Sequence, residues 1–403
     1  MQKRFDTVLF VLWLLLMLAG VVAIFTASAT RIGDDLHVRS YYLRQIAWIL
    51  VSVGAVVLLL RIPYRIIEIF FTPMYVLTVL SLGVVLLFPA TNGAHRWVQA
   101  GPMRLQPSEL AKLAVVLMSA KVLAKPFMSN GQMLLRTALV CGIPGLLVLV
   151  EPDLGTALVF GAVFVAALLA ADYSPLYLFI LVSPLFSALT ALSWPFFAGW
   201  LLLLLVVLHQ NRLSVPIISI IGVLNLFTFL ITPVLWNSLK TYQQNRILTF
   251  LDPARDPLGA GYQILQARIA VGSGGLMGKG FLQGTQKNLD FLPERHTDFI
   301  FSVIGEEFGF VGSMLLLALL FALLLRILHA VSRLQNREHR IAATGIFAFL
   351  AFQVLVNVGM NLGLIPTTGL PLPFISYGGS SLLFCSLGVG LVLKMLLEKT
   401  YGV

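Results

Sequence analysis

The sequence predicts an all-α bundle of membrane-spanning helices. Three observations carry that reading. The chain of 403 residues is 59% hydrophobic and only 11% charged, where a soluble domain would carry about a quarter charged residues. Its mean hydropathy is +0.94. Its apolar residues come in long unbroken runs. Inside lipid a backbone can satisfy its hydrogen bonds only as helices or as a closed barrel, and barrel strands would alternate apolar with polar residues.

A helix needs about 20 apolar residues to cross hydrocarbon. Suitable runs lie at 7–27, 44–60, 66–88, 108–124, 134–150, 155–171, 176–193, 196–209, 216–236, 299–326, 341–363 and 378–397, giving twelve expected spans. Trp194-Pro195 divides two of them as a tight hairpin or a kink. The first run follows Lys3 and Arg4, yet it is long enough to span and no clear small-residue cleavage site ends it. Cys141 and Cys385 lie inside apolar runs and read as small core residues. The net charge of +10 fits cytoplasmic anchors and anionic lipid, not nucleic acid. Lys3, Arg4, Arg333, Arg337, Arg340, Lys394 and Lys399 outweigh Arg31, Arg39, Arg44, Arg96 and Arg104 in the short loops, so both termini are expected in the cytoplasm. Residues 238–297 then form one large extracytoplasmic loop. No repeat divides the chain, which reads as a single membrane domain.

Within that loop, GYQILQARIAV at 261–271 separates Ile264, Leu265, Ile269 and Ala270 from Gln263, Gln266 and Arg268, the pattern of a short interfacial helix. GSGGLMGKG at 272–280 departs from the nucleotide P-loop at Ser273 and Gly280 and reads as a flexible turn. Its amides and Lys279 are a lesser candidate for contact with a lipid pyrophosphate.

Four clusters of polar residues stand where charge is costly. FLPERHTDFIFSVIGEE, 291–307, puts Glu294, Arg295, His296 and Asp298 at the mouth of an apolar helix. Thr297 or Asp298 would cap that helix, or Asp298 would serve as a water-accessible carboxylate, taking a proton or binding a divalent cation. Glu306 and Glu307 need buried partners, and one of them is expected to find an Arg or Asn. GPMRLQPSELAKLAVV, 101–116, places Glu109 and Lys112 one turn apart, as an internal ion pair or a phosphate contact. VEPDLGTA, 150–157, sets Glu151 and Asp153 in a polar turn, or facing the cavity of Asp298. NVGMNLGLIPTTGLPLPFISYGGSS, 357–381, holds Asn357 and Asn361 as helix-to-helix glue, then breaks helix at membrane depth over 366–379. Irregular backbone there must line a cavity or be buried in protein.

At these motifs the chain resembles the SEDS family of shape, elongation, division and sporulation proteins. RILTFLDPARDPLGAGYQILQARIAVGSGGLMGKGFLQGTQKNLDFLPERHTDF, QPSELAKL, EPDLGTAL and TTGLPLPFISYGGSS occur in the family's order. The wording is nearer the elongation member than the division member. The resemblance implies a SEDS-type helical bundle in the bacterial inner membrane that polymerises lipid II on its outer face, with Asp298 as the catalytic carboxylate. Ten spans are usual in the family, so the twelve expected here imply one extra hairpin after EPDLG. Glu109, Lys112, Glu151, Asp153 and Ser376 are then expected around the substrate. Arg104, Lys112, Arg246, Arg268, Lys279 and Arg295 are candidates for the leaving pyrophosphate, helped or not by magnesium or manganese; no organic cofactor is expected. Expected partners are a class B penicillin-binding protein and other membrane proteins of the elongation complex. The rival readings are a division polymerase, a lipid II flippase or other transporter, and a non-catalytic scaffold.

Overall fold

The computed structural model describes residues 5–32, 35–38, 40–87, 98–100, 103–238, 244–245, 248–250, 252, 255, 260–288, 292 and 294–398. Each expected span falls on helix, the run 66–88 on two helices divided at Phe70. In chain order the elements are α1 (Thr7–Ser28), β1 (Ala29–Ile32), β2 (Asp35–Val38), α2 (Tyr41–Arg61), α3 (Tyr64–Ile69), α4 (Phe71–Val85), β3 (Val98–Ala100), β4 (Met103–Leu105), α5 (Pro107–Leu123), α6 (Asn130–Val150), α7 (Leu154–Ala170), α8 (Pro175–Leu189), α9 (Trp194–Gln210), α10 (Val215–Ser238), α11 (Ala260–Ser273), α12 (Thr285–Asn288), α13 (Ile300–Arg333), α14 (Arg337–Asn361) and α15 (Gly379–Leu397). Seven of them, α1, α2, α6, α10, α13, α14 and α15, are each long and apolar enough to cross a membrane. The strands make two antiparallel hairpins, β1 with β2 and β3 with β4. They were not foreseen, because three or four residues are too few to display a period of two.

The chain forms two compact units, residues 1–171 with 252–403 and residues 172–251. The smaller holds α8, α9 and α10. A 3-10 turn, Thr190–Leu192, separates α8 from α9, and Pro195 falls in the first turn of α9, where a proline costs no helical bond. Trp194-Pro195 is therefore a hairpin. Asn225 ties these helices together: its amide donates to Ser183 Oγ (2.9 Å) and accepts from Ser187 Oγ (2.6 Å), which in turn accepts from Trp200 Nε1 (3.0 Å). In an apolar surround such a fully bonded network is effective helix glue.

In the larger unit α15 is the most enclosed apolar helix, with 72% of its apolar window buried against 17% for α2. It packs against α2, α5 and α14. Local signals start several helices: Asp6 caps α1, a Ser129–Gln132 capping box starts α6, and Asn336 accepts from the amides of Glu338 and His339 at α14. The segment expected at the interface is α11, and its buried stripe is Ile264, Ala267 and Ala270. Ala267 joins a core cluster with Ala27, Leu292, Phe299 and Val303. Leu265 and Ile269, expected on the same apolar face, are exposed instead, because the helix packs on protein through its small residues.

Candidate active site

Asp298 lies in a tight turn, 294–299, just before α13. Glu294 has φ +53° and its carbonyl accepts from the amides of Thr297, Asp298 and Phe299 (3.1, 3.1 and 3.3 Å). The cap position of α13 falls on Phe299, which has no side-chain acceptor. Thr297 Oγ1 donates back to Glu294 and caps nothing. The cap comes from another helix. Asn361 Oδ1 accepts from Ser302 Oγ (2.6 Å) and from Ser302 N (3.1 Å), a first-turn amide that also donates to Phe299 O (3.1 Å). The amide nitrogens of Asn361 and Asn357 both donate to the Asp298 carbonyl, at 2.9 and 3.1 Å. The asparagines read as interhelical glue therefore hold the backbone of the candidate catalytic residue.

Residues 362–378 form the wall facing that turn. Asn357 also donates to Leu370 O (2.8 Å). Gly369, exposed and at φ +76°, sits so close to Asp298 that a β-carbon there would lie 3.6 Å from Oδ2. Ser376 Oγ donates to Thr297 O (2.6 Å) and accepts from Leu372 N (2.9 Å), and Tyr377 N donates to His296 O (2.8 Å). The structure thus makes Ser376 a buried pin between wall and turn, not the substrate contact expected of it. His296 stacks on Tyr41, with centroids 4.3 Å apart and planes 12° apart. Asp298 itself is half-buried at this junction.

The other motifs converge on the same wall. Gly155, in the first turn of α7, presses on Thr368 and Leu370; a β-carbon there would overlap both. Asp153 caps α7 through Thr156 N (3.2 Å) and Thr156 Oγ1 (3.0 Å), and it accepts from Gln106 Nε2 (3.4 Å). Asp153 is buried by these bonds, so its role is the cap and the bridge to α5, in place of a substrate contact. Glu151 is buried beside it. One turn beyond Gln106, Glu109 and Lys112 form a buried ion pair of 2.7 Å. A path of contacts therefore runs from that pair through Gln106 and Asp153 to the wall and Asp298. Gln106 and Gly369 were not singled out in the sequence. The first stands directly before Pro107 in QPSEL, and the second follows TT in a run where a positive φ calls for glycine.

Several expected phosphate contacts are committed elsewhere. Arg295 is buried and donates Nε to Ala27 O (2.9 Å) and a terminal nitrogen to Lys287 O (2.6 Å). Lys279 pairs with Glu306 at 2.7 Å and donates to Thr285 Oγ1 (2.8 Å). Lys287 pairs with Glu307 where both are fully buried. Both buried acids therefore pair with lysines that precede α13 in the chain, where an Arg or Asn was expected for one of them. Burial pulls the Lys287 ammonium below the usual lysine range, opposed by Glu307 beside it. Arg268 is exposed and donates to Gly363 O (2.6 Å), two residues past Asn361. Arg104 lies in β4, and Arg246 falls outside the described residues.

The glycine-rich stretch is neither a flexible turn nor a phosphate cradle. Gly309 (φ +67°, ψ −162°) breaks α13 and leaves backbone groups without helical partners. The stretch supplies them: Lys279 N and Gly280 N donate to the carbonyls of Glu306 and Glu307, while Phe310 N and Val311 N donate to Gly275 O and Leu276 O. Gly278, at φ +81°, lies against Glu307 O, where a β-carbon would overlap it. The glycine-rich stretch is thus spliced into the helix that follows Asp298.

Among the described residues no three His, Cys, Asp or Glu side chains come together as a metal site. Such a donor set fits only an ion held by one carboxylate and completed by substrate oxygens.

A family model described as "Cell cycle protein", covering FtsW, RodA and SpoVE, matches residues 6–200 and 190–401. The peptidoglycan glycosyltransferase MrdB of Escherichia coli K12 is 37% identical over 401 residues, spanning 98% of this chain and 94% of that protein. A probable peptidoglycan glycosyltransferase FtsW of Geobacter metallireducens is 34% identical over 406 residues, 98% and 95% of the two chains. Among solved structures, a chain from a peptidoglycan synthase complex, described as coordinating polymerization and crosslinking, superposes with a TM-score of 0.73 at 31% identity over 99% of both chains. The crystal structure of Thermus thermophilus RodA, a rod shape determining protein, gives 0.64 at 26% identity, again over 99% of both.

Proposed function

Because this chain belongs to the FtsW, RodA and SpoVE family and is a multi-pass membrane peptidoglycan glycosyltransferase, we propose that it polymerises lipid II during cell elongation with Asp298 as general base. The observation that carries this is the convergence of four separated motifs on one half-buried aspartate, whose backbone is held from two sides. Asp298 takes the proton of the acceptor's C4 hydroxyl as that oxygen attacks C1 of the donor sugar. The C1–oxygen bond to the lipid pyrophosphate breaks, and undecaprenyl pyrophosphate leaves with the electron pair. Attack opposite an α-linked leaving group gives a β-linked strand, an inverting transfer that one base can serve.

Arg268 suits the leaving group, being, among the described side chains, an expected cation that is exposed beside the wall. Lys112 and Glu109 lie deeper and support the wall through Gln106. A magnesium or manganese ion fits if Asp298 supplies its protein ligand and the pyrophosphate the others; it would neutralise leaving-group charge. The active site faces the outside of the bacterial cytoplasmic membrane and both termini face the cytoplasm, as the Lys and Arg of the short loops favour. A class B penicillin-binding protein is the proposed crosslinking partner, supported by the likeness to a synthase chain from a complex described as coordinating both steps. Further elongation-complex membrane proteins would bind the same assembly.

The test is strand synthesis by the purified full-length protein from lipid II with no energy source. Asp298→Asn is expected to lose roughly 10²–10⁴-fold in rate. Undiminished polymer from that variant would exclude the base. Absence of polymer from the wild type, with lipid II crossing the bilayer, would favour the flippase.

A further inference from the structure

We infer that Asn361 is a positioning residue of the glycosyl transfer, acting as an amide splice that ties the Asp298 carbonyl to the first turn of the helix that follows it, with Asn357 as its brace; this rests on Asp298 being the base. In a continuous α-helix the Asp298 carbonyl would accept from Ser302 N–H, four residues on. Here Ser302 N–H donates to Phe299 O (3.1 Å), three residues back, and shares that proton with Asn361 Oδ1 (3.1 Å). The Nδ2 of the same amide gives a hydrogen bond to Asp298 O (2.9 Å). One side chain thus ties the Asp298 carbonyl to the first turn of α13.

The geometry around the splice is closed on every side. Both asparagines are fully buried. They stand four residues apart on α14, hence on one face of it. Asn361 also donates to Asn357 O (2.8 Å), and Ser302 Oγ donates to Asn361 Oδ1 (2.6 Å). Asn357 donates to Asp298 O (3.1 Å) and to Leu370 O (2.8 Å), the neighbour of Gly369. The Asp298 carbonyl therefore has both lone pairs occupied. Its residue is fixed relative to α13 on one side and to the wall on the other. Ordinary helix glue would join side chain to side chain; these bonds go to irregular backbone flanking the base and to the wall beside its carboxylate. A shift of about 1 Å in such a group is enough to cost on the order of 10²-fold in rate.

Asn361→Ala strands no backbone group: Ser302 N–H keeps Phe299 O and the Asp298 carbonyl keeps the Asn357 amide. The variant is therefore expected to fold, with the Asp298 carbonyl held by one amide in place of two. Asn361→Asp keeps the acceptor for Ser302 but, as a carboxylate, offers no donor to Asp298 O. The test uses full-length protein in proteoliposomes with lipid II, comparing wild type, Asn361→Ala, Asn361→Asp, Asn357→Ala and Asp298→Asn, and reads kcat per folded molecule, KM and melting temperature. For both Asn361 variants kcat should fall roughly 10- to 100-fold with KM within about twofold of wild type, and Asn357→Ala should lose less. A kcat within twofold of wild type in Asn361→Ala overturns the splice, as does a loss that only tracks melting temperature. The Asp298→Asn arm separates the two levels. An active Asp298→Asn removes the base itself, whereas an inactive Asp298→Asn beside an active Asn361→Ala removes the splice alone.

Discussion

Replacing Glu307 by Gln should destabilise the protein in a way that fades as pH rises. Lys287 is fully buried, and its ammonium bonds to Glu307 and to Thr26 O (2.8 Å). Glu306 and Arg295 are the other charges acting on it. Breaking a buried pair by removing one partner costs about 3–5 kcal/mol. The loss has a ceiling, because a stranded lysine can shed its proton. From an unfolded value near 10.4, that ceiling is about 4.6 kcal/mol at pH 7 and about 1.9 kcal/mol at pH 9. The sign follows from proton counts. Burial holds the folded-state lysine below its unfolded value, so between the two values the unfolded chain binds more protons and stability rises with pH. Unfolding of the detergent-solubilised variant by urea at pH 7, 8 and 9, followed by tryptophan fluorescence beside wild type, measures this directly. A loss under about 1 kcal/mol at pH 7, or one flat from pH 7 to 9, would refute the reasoning. The double variant with Lys287→Met should remove the pH dependence and recover most of the stability, since no charge is then stranded.

Arg295→Lys should lower stability by about 1–3 kcal/mol, because an ammonium cannot reach both Ala27 O and Lys287 O. KM for lipid II should not change; a raised KM with unchanged melting would restore a phosphate role. Gly278→Ala should cost at least about 1–2 kcal/mol from the left-handed backbone, plus the overlap with Glu307 O, and a thermal melt reads it. Asn225→Ala should cost about 1–3 kcal/mol by taking the acceptor from Ser187 Oγ and a donor from Ser183 Oγ, which the urea midpoint reports.

How much was legible depended on whether the signal was local. A span is announced by its own 20 residues, so the twelve runs fall on helix, one of them divided at Phe70, and Glu109 with Lys112, three apart on one helix, pair as their spacing implies. Asp298 stood out because charge at an apolar helix mouth is costly wherever the rest of the chain goes. The partners of distant charges were not legible. Lys279 and Glu306 are 27 positions apart, and Arg295 reaches back 268 positions to Ala27; a free-looking cation in an outer loop reads equally as a phosphate contact or a buried strut. The face of α11 was misassigned for a related reason. Its leucine and isoleucine outrank alanine by hydropathy, but close packing on α13 selects small side chains.

By itself, then, the sequence determined the membrane bundle and the family and singled out the aspartate as a candidate, all of which follow from composition, run length and contiguous motifs. Only the tertiary structure decided what surrounds that aspartate. Capping of α13 by Asn361, repair of the break at Gly309 by the glycine-rich stretch, and burial of Arg295 each require a donor and an acceptor from distant parts of the chain. Buried polar groups must be satisfied somewhere, but that requirement names no partner, and the partner is chosen by which backbones the packed helices bring within about 3 Å.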